Sequence, residues 1–542
     1  MQRPVSVKTF VFFAALAAPA LIHFYLLYRY SVNAPRLDDF SEVLTFLPNF
    51  YEANTWHEKI RIFFAVYQDH RYGVTHVINL ITDGINFRHY VLWGNLLIPA
   101  YIFLVWKSLQ QHPLQKEITC IAALLFFNLQ TWYGTYWASI LLTSLGSLPI
   151  ALGTFLLACS SKRHALPLAL FSAIALTYTL GNGIFAWPLI LVYALIDNKH
   201  KALPLWNARS ICWLLIGGSI LWFYFHDFQF LNREGQHGAG FFDLITRAIQ
   251  NAPNIAIGFF SLAGSHLLYY SQQTDWRIWV SCFIGISETL ALLWLLKQGA
   301  LRNRPALLLL LAFTVLTMAS IALARAATIN LGQTLQGHYK LYPATYLLLL
   351  IAALLDLLAQ KKPHHTKSVY AACLGGVITL FLAALFLFVR TVEQYNQNLA
   401  VDAKQWLYSN TLQLGETRLY VKQPNKKLAR AVQGNFYNPW TLLNNDEIPV
   451  DIIYSQTCPP ATPITTNTQS HPHALAVKLD LPTTDTSTKF CLQGEKQAIY
   501  FTPNAENNNP ENKKEKPNFS LWIPRNGEAG EDKGPWTLYA LP

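Results

Sequence analysis

The chain has 542 residues, of which 52% are hydrophobic and only 13% charged, about half the usual charged share, which excludes a single soluble fold. The formal net charge of +11 raises nucleic acid as a partner. However, the basic residues fall in short clusters between apolar runs, not in a patch interleaved with exposed aromatics, so no nucleic acid is expected. Apolar residues concentrate before residue 390 and the rest is rich in Asn, Thr, Pro and Lys, which predicts a membrane domain over 1–390 and a water-facing domain over 391–542.

Taken in order, the apolar runs predict about 11 transmembrane helices, near 8–28, 89–106, 118–132, 138–159, 165–180, 183–196, 210–226, 277–296, 305–323, 343–360 and 369–389. Arg3 and Lys8 flank the first. Lys107 with Lys116, Lys162-Arg163, Lys199 with Lys201 and Arg209, Lys297 with Arg302 and Arg304, and Lys361-Lys362 with Lys367 occupy short loops on one side. Positive charge in short loops marks the cytoplasmic face. The N-terminus is therefore expected inside and 391–542 outside. The small-residue run Ala14 to Ala20 lies within the first apolar stretch, which fits an anchor, with cleavage after Ala17 or Ala20 as the alternative.

The first outer segment opens with Pro35-Arg36-Leu37-Asp38-Asp39-Phe40-Ser41-Glu42. Carboxylates beside a hydrocarbon core are unfavourable unless wetted, paired or used in chemistry. Asp38 or Asp39 can cap a helix starting at Phe40, or act as a general base, and the two roles can be divided between them. Further on, Ile60, Phe63, Phe64 and Tyr67 recur at helical spacing among charged residues from Trp56 to Arg71, which predicts a helix lying flat on the membrane. It ends on Asp69-His70-Arg71, a phosphate-binding triplet or a surface cluster meeting headgroups.

Trp132, Tyr133, Tyr136 and Trp137 read as an interfacial belt or as platforms for sugar faces. Gly181-Asn182-Gly183 reads as a tight turn, and Arg233 sits in a polar connector. The interrupted stretch 253–270 reads as interfacial or re-entrant; as a twelfth span it would move the tail to the cytoplasm. The loop after 305–323 carries Arg325, Gly332, Gln333, His338, Tyr339, Lys340 and Tyr342-Pro343. Mid-span charge is almost absent. The tail begins with a polar helix, Glu393 to Leu414, followed by extended runs at 417–421, 449–454, 474–479, 497–502 and 519–523, so a small β-containing α+β domain is expected. Residues 504–516 have the composition of a disordered loop. Cys458 and Cys491, the two cysteines of the tail, fit either a disulfide in an oxidising compartment or two free thiols.

An acidic pair just past the first span, flat helices in a long first outer loop and an outer soluble tail resemble the GT-C superfamily of integral-membrane glycosyltransferases over roughly residues 8–390. The resemblance implies a mainly α, polytopic fold in a bacterial inner (cytoplasmic) membrane, with a polyprenyl-phosphate-linked sugar as donor. The acceptor would be a glycan, lipid or protein, at the periplasmic face among membrane lipids. It implies a catalytic carboxylate at Asp38 or Asp39, inversion at the sugar, and donor contacts from Asp69, His70 and Arg71 and from Arg325, His338, Tyr339 and Lys340. The last group departs from the Gly-Arg and Arg-Tyr pattern of related bacterial proteins, having Ala324-Arg325 and His338-Tyr339 instead. A neutral histidine there leaves permanent charge to Arg325 or Lys340. No cofactor is expected, although Asp38, Asp39, Glu42 and His70 offer ligands for a divalent metal. The alternatives are a lipid-linked glycan polymerase or ligase, and a membrane transporter or flippase.

Overall fold

The structure, a computed structural model, describes residues 7–67, 70–82, 84–162, 164–228, 230–231, 237–239, 246, 248–268, 275–326, 330–409, 412 and 423–438. Beyond these it describes the strands Val450–Ser455, Pro463–Ile464, Thr466–Ser470, Ala474–Asp480, Lys489–Gln493, Ala498–Pro503, Asn518–Pro524 and Thr537–Leu541. Asp69, Arg233, Cys458 and the runs 417–421 and 504–516 lie outside the described residues. The chain divides into two compact units. One comprises Met1–Arg29, Ile60–Ile78 and Tyr90–Thr391; the other comprises Tyr30–Lys59, Asn79–His89 and Val392–Pro542. Much of the first outer segment thus belongs with the tail.

The protein is mainly helical, and 8 helices among the described residues are long and apolar enough to cross a membrane, the pattern of a multi-pass membrane protein. They are Phe12–Tyr30, Phe87–Ser108, Ala138–Ala158, Ala208–Phe225, Trp276–Lys297, Pro305–Ala326, Gly337–Lys361 and Pro363–Ala403. The other three expected spans are the helices Gln115–Phe126, Ala165–Thr177 and Ala186–His200, of 12, 13 and 15 residues. At 1.5 Å per residue these reach about 18–23 Å, short of a ~30 Å hydrocarbon core. Local chemistry ends them early. Past Phe126, the Asn128 side chain accepts the Gln130 N–H and turns the chain into a 3-10 helix, Leu129–Thr131. Between the other two, Gly181–Phe185 forms a second 3-10 turn.

The last span and the polar helix read after it are one element, Pro363–Ser409, of 47 residues. No glycine or proline interrupts it from Val377 to Ser409.

The expected flat helix from Trp56 to Arg71 is corrected to a helix, Trp56–Phe63, followed by an antiparallel pair, Val66–Tyr67 with His70–Arg71. At its start the Glu58 carboxylate accepts the Asn54 and Thr55 N–H groups, and the Thr55 hydroxyl accepts the Glu58 N–H in return, a capping box. Just past Phe63 the Arg71 guanidinium donates to the Phe64 carbonyl. Trp56 and Ile60 are exposed, leaving this short helix with an apolar face uncovered by protein.

Ala252–Ala263 is a 12-residue helix, about 18 Å long by its rise. It packs on Asp275–Lys297 almost backbone to backbone. A Cβ placed on Gly264 would lie 2.2 Å from the Ser281 carbonyl oxygen, and one on Gly285 would lie 2.0 Å from that of Phe260. Such approach is open only to glycine, and small residues are how helices associate where lipid removes the hydrophobic drive. In the other unit, Val450–Ser455, Ala498–Pro503, Lys489–Gln493, Thr537–Leu541 and Pro463–Ile464 form a five-stranded antiparallel sheet in that order. Asn518–Pro524, Ala474–Asp480 and Thr466–Ser470 form a three-stranded one.

The glycine contact makes a direct test. Gly285→Leu is expected to destabilise the folded protein by about 3 kcal/mol or more, since backbone cannot yield as a side chain can. Gly218→Leu, at a position with open space around it, should leave the melting temperature in detergent unchanged.

Candidate functional site

Immediately after the first apolar helix, the chain turns at Leu37, whose φ of 40° is a strained value for a residue with a Cβ. It then enters the short helix Asp39–Glu42. Asp38 stands at the N-cap position, yet its side chain makes no cap hydrogen bond there. Asp39 instead turns its carboxylate back to accept the Arg36 N–H at 3.0 Å. Arg36, Asp39 and Glu42 are all buried, at 2%, 1% and 3% exposure, while Asp38 is half-buried and so the accessible carboxylate of the three. The Arg36 guanidinium lies 4.3 Å from the centre of the Tyr395 ring, a cation–π contact favoured by desolvation.

Segments distant in sequence hold this turn. Asn33 donates to the Asn438 carbonyl and accepts the Phe87 N–H, and Tyr437 donates to the Asn33 carbonyl. Ala34 packs against Leu399 and Ala403. The helix Pro424–Gln433 completes the group. Its Arg430 donates to both carboxylate oxygens of Glu52 and to Asn49, and its Lys427 donates to the Ser41 hydroxyl at 2.8 Å. The Arg430 fork holds the Glu52 carboxyl below its ordinary value. Neither Lys427 nor Arg430 is singled out by sequence reasoning, because nothing in a solvated-looking Lys-Lys-Leu-Ala-Arg string signals burial against the acidic motif.

In the other unit, Arg71 is committed to main chain. Nε donates to the Tyr224 carbonyl at 2.9 Å and Nη2 to that of His226 at 2.6 Å, with Nη1 on Phe64. His70 packs against the glycine turn, where a Cβ on Gly181 would lie 2.5 Å from its Nδ1. The adjacent Asn182 amide donates to Thr317 Oγ1 at 3.2 Å and to the Tyr342 hydroxyl at 3.1 Å. The turn Gly181–Gly183 therefore links the His70–Arg71 strand to the residues that follow Lys340. Nearby, His76 is buried with Nδ1 against the Phe63 carbonyl at 2.7 Å, and burial pushes its imidazole down to about 4.

The loop after Pro305–Ala326 gathers a second group. Arg325, half-buried, donates from Nε to the Tyr339 hydroxyl at 2.7 Å. His338 meets Tyr133 and Trp137, with ring centres 6.2 and 5.7 Å apart, and Tyr339 at 4.0 Å. Two features that sequence reading treated separately, the aromatic turn at 132–137 and the loop at 325–340, are thus one packed cluster, in which Trp137 and Tyr339 are buried. Lys340 is turned away from it. Buried at 1% exposure, its ammonium donates to the carbonyls of Ser265 and Leu268, at 2.9 and 2.5 Å, just past the C-terminus of Ala252–Ala263, where cations satisfy orphan carbonyls.

Asp38 and Asp39 belong to one unit, and His70, Arg71, Arg325, His338, Tyr339 and Lys340 to the other. Among the described residues no group of three or more His, Cys, Asp or Glu is arranged to hold a metal. Comparison with known proteins finds no matching family model and no matching curated protein.

The geometry separates the cations by expected phenotype. Arg71→Met and Lys340→Met each remove a donor from a buried carbonyl, that of Tyr224 or of Ser265, at about 1–3 kcal/mol per carbonyl, and should lower the melting temperature by several degrees. Unchanged melting with lost affinity for a phosphate-bearing lipid would instead assign them to ligand binding.

Proposed function

We propose that this protein is a glycosyltransferase of the GT-C type, moving a sugar from a polyprenyl-phosphate-linked donor to an acceptor hydroxyl. The observation that carries the reading is the cluster after the first apolar helix. A half-buried aspartate, Asp38, stands beside a buried Arg36, Asp39 and Glu42, and buried charge of this kind next to membrane helices calls for a functional account. Asp38 is the base in this reading, since it is the carboxylate an acceptor can reach. It takes the hydroxyl proton as the oxygen attacks the anomeric carbon, and the lipid phosphate leaves, inverting that centre. Asp39, which accepts the Arg36 N–H, fixes the turn. In the other unit, half-buried Arg325, bonded to Tyr339 beside His338, is a permanent charge suited to a phosphate. Arg71 and Lys340 act as positioning residues.

The orientation that goes with this reading puts the N-terminus in the cytoplasm of a bacterial inner membrane. The strand-bearing residues after 391 then belong to a periplasmic domain. No metal or other cofactor is required.

A transporter or flippase is favoured by one observation. Glu288 lies within the candidate span Trp276–Lys297 and is bonded to His266 at 2.7 Å, both largely buried. Ionisable pairs at such depth line transport pathways in other proteins.

Sugar transfer in proteoliposomes from a polyprenyl-phosphate-linked donor separates these. Asp38→Asn is expected to lower kcat about 10²–10⁴-fold, and full activity in that variant would refute the proposed base. Arg325→Ala should raise KM for the donor more than it lowers kcat. Movement of a lipid-linked sugar between leaflets without transfer, lost in Glu288→Gln, would favour the transporter.

A further inference from the structure

The acidic motif holds three carboxylates within five residues, Asp38, Asp39 and Glu42, and one cation of its own, Arg36. Like charges at this spacing resist ionisation together, and the burial of two of them sharpens the problem. The second cation arrives from nearly 390 positions away. Lys427 reaches Ser41 with its ammonium at 2.8 Å, and Ser41 itself donates its N–H to the Asp38 carbonyl at 2.9 Å. The Pro424–Gln433 helix is held in place independently by Arg430 on Glu52 and Asn49, so Lys427 is presented by a fixed scaffold. Burial draws the lysine down from its ordinary value, and Asp38 draws it back up.

Bonded to Ser41 inside a motif with more carboxylates than cations of its own, the lysine serves as counter-charge and not as a donor ligand. Resting on the glycosyltransferase reading, we infer that Lys427 is a positioning residue for the base: bonded to Ser41 one turn on from Asp38, it favours the ionised form of Asp38, which makes the helix after the last span an integral part of the catalytic motif. Other charged groups on these elements include Arg36, Asp39 and Glu42 on the segment of Asp38, Glu52 on Phe46–Glu52, Lys426 and Arg430 beside Lys427, and Arg390, Glu393 and the buried Asp402 on Pro363–Ser409. Lys427 is bonded directly to the helix that Asp38 opens.

The test is the pH dependence of kcat/KM for transfer, with binding of polyprenyl phosphate measured alongside. Asp38 must be ionised to act, and an opposite charge nearby favours that form, so losing the lysine raises the pH at which activity appears. Lys427→Met is expected to move the acidic limb up by about one pH unit, Lys427→Arg to keep it near wild type, and both to bind polyprenyl phosphate as wild type does. An unmoved limb in a folded Lys427→Met overturns the inference, and so does tenfold weaker binding of polyprenyl phosphate with the limb unmoved, which would make Lys427 a phosphate ligand. If Lys427→Met does not fold, Ser41→Ala removes the hydrogen bond that holds the ammonium and should move the limb in the same direction, with no movement again counting against the role. A wild-type protein that transfers no sugar refutes the glycosyltransferase reading itself, a result distinguishable from any of these.

Discussion

Charge that is withdrawn from water next to membrane-crossing helices has to be neutralised within the protein, and that constraint runs through both units. Arg36, Asp39 and Glu42 are almost wholly buried. An unpaired ion there would be several kcal/mol unfavourable, more than most single contacts contribute. The turn from Arg36 to Glu42 is therefore a point at which remote segments of its unit meet. Tyr395 covers the guanidinium, Lys427 approaches Ser41, and Arg430 fastens the carrying helix to Glu52 and Asn49. The strained φ at Leu37 is retained because those surrounding contacts over-determine it.

The same constraint decides what the cations of the other unit do. Buried carbonyls at helix ends and turns need donors, and Arg71 and Lys340 supply them. Arg71 donates just past the short Trp56–Phe63 helix while holding the end of Ala208–Phe225 through Tyr224 and His226. Lys340 holds the turn after Ala252–Ala263. Arg325 differs in being half-buried and bonded to a phenol, which leaves its guanidinium in the aromatic cluster with His338. Cations that look equivalent in a list of outer-loop residues thus differ in burial and partner.

Packing depends on close approach. Gly264 and Gly285 let two helices touch through their backbones, and Gly181 leaves space that the His70 ring occupies. The short helices Gln115–Phe126 and Ala165–Thr177 are each too brief to cross a hydrocarbon core unaided. They contribute buried faces to the bundle, with Ile118, Ile121 and Leu125 on the first and Ala169, Ala173 and Leu176 on the second.

What the sequence determined by itself was the solvent of each stretch. Apolar runs such as 305–323 and 277–296 are one-dimensional signals, and the helices Pro305–Ala326 and Trp276–Lys297 follow them closely because a helix satisfies its own backbone hydrogen bonds and needs only length and apolarity. The acidic motif was visible for a similar reason, since Asp38-Asp39 beside an apolar run is anomalous in the chain itself. Tertiary structure decided where helical periodicity stops, as after Phe63, with the Phe64 carbonyl taken by a guanidinium seven residues on. It also decided which cations are committed and which half-exposed, and which remote helix joins the carboxylates. Lys427 and Ser41 are 386 positions apart. Their pairing depends on how a distant helix packs, and no local preference of either residue encodes it.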